Sequence, residues 1–191
     1  MYIVALNGSH DDDGNTAYLL KRILEKCESR GAETEMISVY KAVTDAKYPF
    51  CVNCCTPCNK QCYKDTLLME AYDKVTKADF VIIGSPVYFG SMSGQLKTFF
   101  DKTRAIRGEK LWLGKPMAAV TVGASKYGGQ ERTLEAIHSC GLVHGMTLIG
   151  NSGESVMGHF GISAQRPAKD DEYAKLTTDA LVERIFAEIK G

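Results

Sequence analysis

The sequence predicts an α/β fold, a doubly wound five-stranded parallel sheet with helices on both faces. Short apolar runs alternate along the chain with longer segments in which apolar residues recur at helical spacing. The apolar runs are hydrophobic at successive positions, which is typical of parallel strands buried on both faces. Three of them lead into loops rich in glycine and short polar residues, and such loops meet at the carboxyl edge of a parallel sheet. We therefore expect a ligand site at that edge.

Each predicted strand is a short run rich in β-branched or other apolar residues. The third run is ended by Gly84-Ser85-Pro86, which are typical turn residues. In chain order, the predicted strands are residues 2–7, 33–39, 80–83, 117–122 and 146–149.

The predicted helices carry apolar residues three or four positions apart. Gly31 is expected to end the first helix, because glycine readily adopts the left-handed conformation found there. The predicted helices are residues 16–30, 66–78, 92–106 and 128–143, followed by a final amphipathic helix that includes Leu181 to Ile189.

We predict one domain over residues 1–191, because about 150 residues is a common domain length. It carries a cysteine-rich loop insertion at about 48–65 and a C-terminal loop plus helix at about 150–191. The segment 150–169 reads as a loop, either a lid or a contact between subunits.

Charge and hydropathy exclude several classes of partner. Lys plus Arg and Asp plus Glu both number 23, so no basic field attracts nucleic acid or an anionic membrane. No apolar run approaches the roughly 18 residues of a transmembrane helix. The N-terminus also lacks the features of a signal peptide, so we expect a cytoplasmic protein. A reducing compartment favours metal or redox roles for the cysteines over structural disulfides.

The first loop, Gly8 to Thr16, joins a strand to a helix. Backbone N–H groups and the helix dipole converge at such a junction, which suits a phosphate. The loop matches neither a P-loop nor the Gly-x-Gly-x-x-Gly fingerprint. An ordinary turn capped by Asn15 or Thr16 is the alternative.

The loops after the third and fourth predicted strands carry residues that suit a flat ring. One runs from Ser85 to Asp101 and holds Pro, Tyr, Phe and Gly in succession. The other runs from Gly123 to Leu134, where Gly128 and Gly129 allow close backbone approach. Three loops at one edge could hold a phosphate and an aromatic ring system, although Tyr88 and Phe89 could equally pack beneath a loop.

Three motifs in this order make the sequence resemble a known family. They are G-S-x-x-x-x-G-N-T, then S-P-V-Y-F-G-S-M-S-G-Q-L-K-x-F-x-D, then Y-G-G-Q-E. The chain resembles the flavodoxin-like NAD(P)H-dependent FMN reductases and, among them, the iron–sulfur flavoproteins, over nearly all of its length to about residue 150. The resemblance implies a flavodoxin-like sheet and FMN as cofactor.

The resemblance also implies which residues hold FMN. The phosphate would lie on the first loop, and the isoalloxazine between the second and third loops. Tyr127 could donate a hydrogen bond to flavin or substrate, or could pack on the surface. His10 and the acidic run after it stand where family members often carry arginine, and this run is interpreted as a solvated loop, with a role against the NADPH 2′-phosphate as the alternative. The expected FMN-binding residues are Ser9, His10, Gly14, Asn15, Thr16, Pro86, Val87, Tyr88, Phe89, Gly90, Ser125, Tyr127, Gly128, Gly129 and Gln130.

The cysteine-rich loop places five cysteines within residues 51–62. Thiolates at such short spacings suit an iron–sulfur cluster or zinc. Iron–sulfur flavoproteins carry a compact four-cysteine motif in this connection that binds a [4Fe–4S] cluster, although here the third cysteine is displaced by one position. The predicted ligands are Cys51, Cys54, Cys58 and Cys62, with Cys55 as the alternative to Cys54.

The leading hypothesis is an FMN-dependent oxidoreductase that passes electrons between a [4Fe–4S] cluster and FMN. No catalytic side chain is predicted, because a flavin carries such chemistry itself. Its donor would be NAD(P)H or a ferredoxin-like carrier, its acceptor a small molecule, and its assembly a homodimer or homotetramer. One alternative is an NAD(P)H-dependent FMN or quinone reductase whose cysteine loop binds zinc or nothing. The other is a non-enzymatic, thiol-based redox-sensing module.

Overall fold

The computed structural model describes residues 1–153 and 156–189. The parts of the predicted domain at 154–155 and 190–191 lie outside the described residues. The central sheet is parallel, with the strand order β2 (Glu33–Ser38), β1 (Tyr2–Asn7), β3 (Phe80–Pro86), β4 (Pro116–Gly123) and β5 (Thr147–Leu148), so the predicted fold class is confirmed. A further strand, β8 (Ile162–Gln165), also pairs in parallel with β4.

Most elements fall within a few residues of their predicted positions. Gly31 has a positive φ of 87°, as expected of the residue that ends the first helix. The strands are β1 (Tyr2–Asn7), β2 (Glu33–Ser38), β3 (Phe80–Pro86), β4 (Pro116–Gly123), β5 (Thr147–Leu148), β6 (Asn151–Gly153), β7 (Val156–His159) and β8 (Ile162–Gln165). The helices are α1 (Asn15–Glu28), α2 (Val39–Thr44), α3 (Leu67–Lys77), α4 (Gly94–Asp101), α5 (Arg104–Gly108), α6 (Gln130–Val143) and α7 (Glu172–Ile189).

The sheet separates two hydrophobic cores, because successive side chains of a strand point to opposite faces. Val4 and Val81 face the core beneath α3, α4 and α6, which includes Trp112. Ile3 and Ile82 face the core beneath α1 and α7. Both faces of the strands are thus covered, which explains their continuous apolar sequence.

Three predicted boundaries in the first two-thirds of the chain are wrong. The connection 40–65 is not wholly irregular, since it includes most of the short helix α2. Strand β3 continues through Gly84 to Pro86. A Cβ at Gly84 would lie 2.8 Å from Leu20, so only glycine lets α1 pack against the strand at this position. The helix predicted over 92–106 is interrupted at Lys102 and Thr103. The Thr103 hydroxyl donates to the carbonyl of Phe100 at 2.6 Å, which competes with helical pairing.

The segment 150–169 is not a loop. Strand β5 has two residues and pairs only with the start of β4, whereas β8 pairs with Val120 to Gly123 at the other end of β4. Between β5 and β8 in the chain, the antiparallel hairpin β6–β7 interrupts the fifth position of the sheet. The final helix, α7, begins at Glu172, well before the predicted apolar stripe.

None of the helices within residues 1–153 and 156–189 combines the length and apolar character needed to cross a bilayer.

Candidate functional site

The strand order creates a crevice at the carboxyl edge of the sheet. The strands β2 and β3 lie on opposite sides of β1, so the chain reverses its direction of winding between β1 and β3. Connections leaving strands at such a point diverge and leave space for a ligand. The first loop (residues 8–14), the second loop (residues 87–93) and the third loop (residues 124–129) all lie at this edge.

The first loop presents unpaired backbone donors at the start of α1. Gly14 is the N-cap residue, and no side chain caps the helix. Within the described part of the chain, no acceptor pairs with the backbone N–H groups of Asn15, Thr16 and Ala17 or with the buried hydroxyl of Thr16. Unpaired N–H groups at the positive end of a helix dipole fit an anion such as a phosphate.

Hydrogen bonds from the backbone and from side chains set the path of the first loop. The Gly8 N–H donates to the carbonyl of Gly84 at 2.8 Å, and a Cβ on Gly8 would lie only 2.6 Å from that oxygen. The Ser9 N–H donates to Asn7 Oδ1 at 3.1 Å, and the Ser9 hydroxyl accepts the Asp11 N–H at 3.2 Å. The Ser9 hydroxyl therefore has a structural role within the loop.

Two of the three acidic side chains after His10 are paired with lysines. Asp12 contacts Lys41 and Asp13 contacts Lys21, each at 2.7 Å. Hydrogen bonding to Lys41 is the largest cause that lowers the pKa of Asp12. These pairs partly neutralise the acidic run beside the crevice.

The carbonyl of the Asn15 side chain is already used within the fold. Asn15 Oδ1 accepts the N–H of Ala168 at 2.7 Å, which joins α1 to the turn that follows β8. Only the amide nitrogen of this side chain remains to face a ligand.

The second loop is a tight turn that exposes an aromatic ring. Tyr88 and Ser91 exchange backbone hydrogen bonds of 2.9 and 3.1 Å. Between them, Phe89 and Gly90 adopt positive φ values of 51° and 72°. The Phe89 side chain is fully exposed, and the Tyr88 hydroxyl lies 3.5 Å from His10 Nδ1 of the first loop. An exposed aromatic held in a strained conformation indicates a surface that meets a ligand or partner.

The third loop contacts the second through glycine. Gly129 has a φ of 94°, and a Cβ there would lie 3.0 Å from the Cα of Gly90. The buried Gln130 amide accepts the Gly128 N–H at 2.8 Å and donates to the carbonyl of Ser125 at 2.6 Å. Gln130 thereby holds the third loop in shape, while Tyr127 projects into solvent.

A groove of about 1080 Å³ lies beside the third loop and was not predicted from the sequence. Its wall is built partly by β7 and β8, which lie in the segment 150–169 that the sequence predicts to be a loop, and partly by the start of α7. Arg132 and Arg166 lie on it together with Tyr127 and Tyr173. The exposed arginines carried no local sequence signal, because only the sheet extension by β8 brings them together.

The cysteine-rich loop is anchored on α5 and on the segment after α2. The Arg104 guanidinium donates to the carbonyl of Cys55 at 3.0 Å and to the Thr56 hydroxyl at 3.1 Å. The N–H of Lys47 donates to the carbonyl of Cys62 at 2.9 Å. The bond from Lys47 to Cys62 joins the two ends of the loop, and the contacts of Arg104 hold its middle.

The thiols differ in exposure. Cys54 is exposed, whereas the other four are half-buried, and all five are free thiols. Hydrogen bonding to the Asn59 N–H is the largest cause that lowers the pKa of Cys55, and hydrogen bonding to Cys55 is the largest that raises the pKa of Cys54. The half-buried thiols are Cys51, Cys55, Cys58 and Cys62.

Two buried donors face these thiols. Lys102, 1% exposed, lies with Nζ 3.8 Å from Cys62 Sγ and pairs with no carboxylate of the described residues. The fully buried Tyr63 hydroxyl finds no hydrogen-bond partner in the same part of the chain. Burial raises the pKa of Tyr63, and the Cys58 and Cys62 thiols add to the effect. A buried cation and an unpaired hydroxyl beside several thiols fit an anionic thiolate cluster.

Among residues 1–153 and 156–189, no three His, Cys, Asp or Glu side chains are placed to share one metal ion. A four-iron cluster is wider than a single ion, and its thiolates bind separate corners.

The second loop and the cysteine-rich loop lie at opposite ends of α4. The second loop precedes Gly94, whereas Lys102 follows the last residue of the helix. Eight residues at 1.5 Å each separate the two by about 12 Å. The two sites are thus distinct within one chain.

Comparison with known proteins shows the family to which the chain is similar. A model of the family described as NADPH-dependent FMN reductase matches residues 1–159. An iron–sulfur flavoprotein from Methanocaldococcus jannaschii is 33% identical, with 100% of this chain and 98% of that protein aligned. Another from Methanosarcina thermophila is 31% identical over 97% of this chain and 93% of that protein.

A solved structure supports the fold independently. The flavodoxin, WrbA-like protein from Agrobacterium tumefaciens superimposes with a TM-score of 0.69 at 17% identity. The superposition covers 99% of this chain and 96% of that one. The likeness extends to the C-terminal part of the chain, beyond residue 159.

Proposed function

The chain belongs to the family of NADPH-dependent FMN reductases, and from this premise we propose that it passes electrons between FMN and a [4Fe–4S] cluster on its cysteine loop. It is an FMN-dependent oxidoreductase. The observation that carries the cluster is the set of four half-buried free thiols with buried donors beside them. FMN would supply hydride and one-electron chemistry, and the cluster one-electron transfer.

The FMN phosphate is assigned to the first loop. The N–H groups of Asn15, Thr16 and Ala17 and the Thr16 hydroxyl are the free donors there. The ring is assigned to the space between the second and third loops, which meet at Gly90 and Gly129. Asn15 and Gln130 would act mainly by holding these loops.

The cluster ligands are assigned to the half-buried thiols. Burial is the main cause that raises the pKa of Tyr72, and the thiols of Cys51, Cys58 and Cys62 add to the effect, which supports their lying near this ring. Cys55 is favoured over the predicted Cys54 as the fourth ligand, because Cys54 is exposed. Cys54 stays the alternative.

Electron donors and assembly follow from the same proposal. NAD(P)H is the expected donor, and a ferredoxin-like carrier is the alternative. The proposed assembly is a homodimer or homotetramer in which the cluster of one chain approaches the flavin of another. The free thiols fit a reducing, cytoplasmic location.

The test is the cofactor content of anaerobically purified protein. We expect flavin absorbance with about four irons and four sulfides per chain. In Cys55→Ser, iron should be lost while FMN remains. The matched control Cys54→Ser should keep both. Loss of iron from Cys54→Ser alone would restore Cys54 as ligand.

A reductase without a cluster is the second candidate. The groove of about 1080 Å³ beside the third loop is large enough to admit an NAD(P)H nicotinamide or a quinone next to the ring. This function predicts bound FMN, no iron, and direct turnover of NAD(P)H with a quinone. Wild-type protein with that composition would replace the cluster proposal.

A further inference from the structure

The surroundings of Lys102 are unusual for a lysine. Its side chain is 1% exposed, at the residue that caps the C-terminus of α4. A buried ammonium without a carboxylate is costly, so such groups are nearly always paired with an anion. The partner that its Nζ contacts is the sulfur of Cys62, at 3.8 Å.

Tyr63 presents a second unpaired donor at the same place. Its ring packs edge-on against Tyr72 with centroids 5.2 Å apart, which fixes the direction of the hydroxyl. A buried hydroxyl without a hydrogen-bond partner is destabilising. In the described residues this hydroxyl lacks an acceptor, while Cys58 and Cys62 lie near it.

We propose that Lys102 and Tyr63 set the reduction potential of the cluster, Lys102 through Cys62 and Tyr63 through the sulfur of Cys58 or Cys62. This inference rests on the proposed function. Among the described residues Tyr63 lacks an acceptor and the Lys102 ammonium contacts only the sulfur of Cys62, and sulfur atoms of an anionic cluster would supply an acceptor to each. The charge of a cluster and the hydrogen bonds to its sulfurs set its potential.

The direction of the effect follows from charge. Reduction adds one electron to the cluster and its thiolates and breaks no bond, and in a redox titration the electron comes from dithionite. The added negative charge is stabilised by the ammonium and by the hydroxyl dipole, so both groups raise the potential. Only the stabilisation that the reduced cluster receives in excess of the oxidised one shifts the potential, and we expect it to change the ratio of reduced to oxidised cluster by about tenfold.

The experiment is a redox titration of the holoprotein, with the cluster followed by electron paramagnetic resonance. In Lys102→Met and in Tyr63→Phe, the ratio of reduced to oxidised cluster at a given potential should fall about tenfold, a shift of about 59 mV for one electron. Lys102→Arg should stay near wild type. Lys97→Met removes an exposed lysine from the same helix and should shift the ratio far less.

The outcomes separate this inference from the proposed function. Wild-type protein with FMN but no iron would overturn the cluster and this inference together. A full cluster whose ratio is unchanged in both variants would overturn this inference alone. Loss of iron from Lys102→Met but not from Lys102→Arg would support the need for charge, and loss from both would show that packing matters instead.

A second measurement protects the test of Tyr63. In the iron-free chain, Tyr63→Phe should leave the free energy of unfolding unchanged or raise it, because the hydroxyl has no acceptor there. A clear fall would reveal a protein acceptor and overturn the role of this hydroxyl.

Discussion

The contact between the second and third loops can be tested at two glycines with matched backbone strain. Gly129 and Gly90 have φ values of 94° and 72°, so alanine at either position is forced into a left-handed conformation. That conformation costs about 1–2 kcal/mol for a residue with a Cβ. A Cβ at Gly90 meets open space, whereas one at Gly129 lies 3.0 Å from the Cα of Gly90.

The crowding at Gly129 adds a second cost. Relieving such a contact shifts backbone and typically costs about 1–3 kcal/mol. We therefore expect Gly129→Ala to lower the free energy of unfolding by about 2–5 kcal/mol. Gly90→Ala should lower it by about 1–2 kcal/mol. The affinity for FMN should also fall more in Gly129→Ala, because the alanine pushes apart the two loops assigned to the ring.

Urea unfolding of the FMN-free chain measures the first effect, and fluorescence titration with FMN measures the second. Equal destabilisation by the two substitutions would refute the reasoning, since the backbone strain is matched and only the contact differs. An unchanged FMN affinity in Gly129→Ala would refute the assignment of the ring to these loops.

Three further changes probe other parts of the structure. Asn15→Ala leaves the buried Ala168 N–H without its acceptor and should lower the free energy of unfolding by about 1–3 kcal/mol in urea, whereas no change would contradict that bond. Burial, with Arg107 nearby, lowers the pKa of His144 from 6.5 to about 4, so the unfolded chain binds a proton that the folded one does not. Stability present above pH 6.5 should fall by about 3 kcal/mol toward pH 4, and His144→Gln should flatten that dependence in urea titrations at several pH values. Phe89→Ala should change the free energy of unfolding by less than about 0.5 kcal/mol, because the ring is exposed. It should lower the affinity for FMN in a fluorescence titration. A large loss of stability would show that the ring packs against the protein.

Much of the fold could be predicted because hydrophobic periodicity is a local property of the sequence. The strands β1, β3 and β4 are apolar on both faces, and this pattern alone indicates a covered parallel sheet. The three ligand loops follow from the same pattern, because their glycine and polar residues interrupt apolar runs.

The segment after β5 could not be predicted in this way. Strands β6 and β7 carry glycine, asparagine and serine, which favour turns when judged locally. They form strands because they pair with each other, and β8 does so because β4 leaves half its length free for pairing. Such long-range pairing has no counterpart in local propensity.

The roles of individual site residues divide along the same line. Five cysteines within twelve positions indicate a thiolate site from spacing alone. Their unequal exposure, and the positions of Lys102 and Tyr63 beside them, depend on how α4 and α5 pack against the loop. In the same way, Asn15 reads as a phosphate ligand, yet its carbonyl is bonded to Ala168, 153 residues away in sequence.

The sequence by itself determined the fold class, the edge of the sheet where the candidate ligand loops lie and the loop that carries the thiols. These depend on residue type and on spacing between neighbours along the chain. Only the tertiary structure decided which thiols face inward, which donors lie unpaired beside them and how the fifth position of the sheet is filled. Those features depend on burial and on pairing between distant segments, and both arise only when the chain packs.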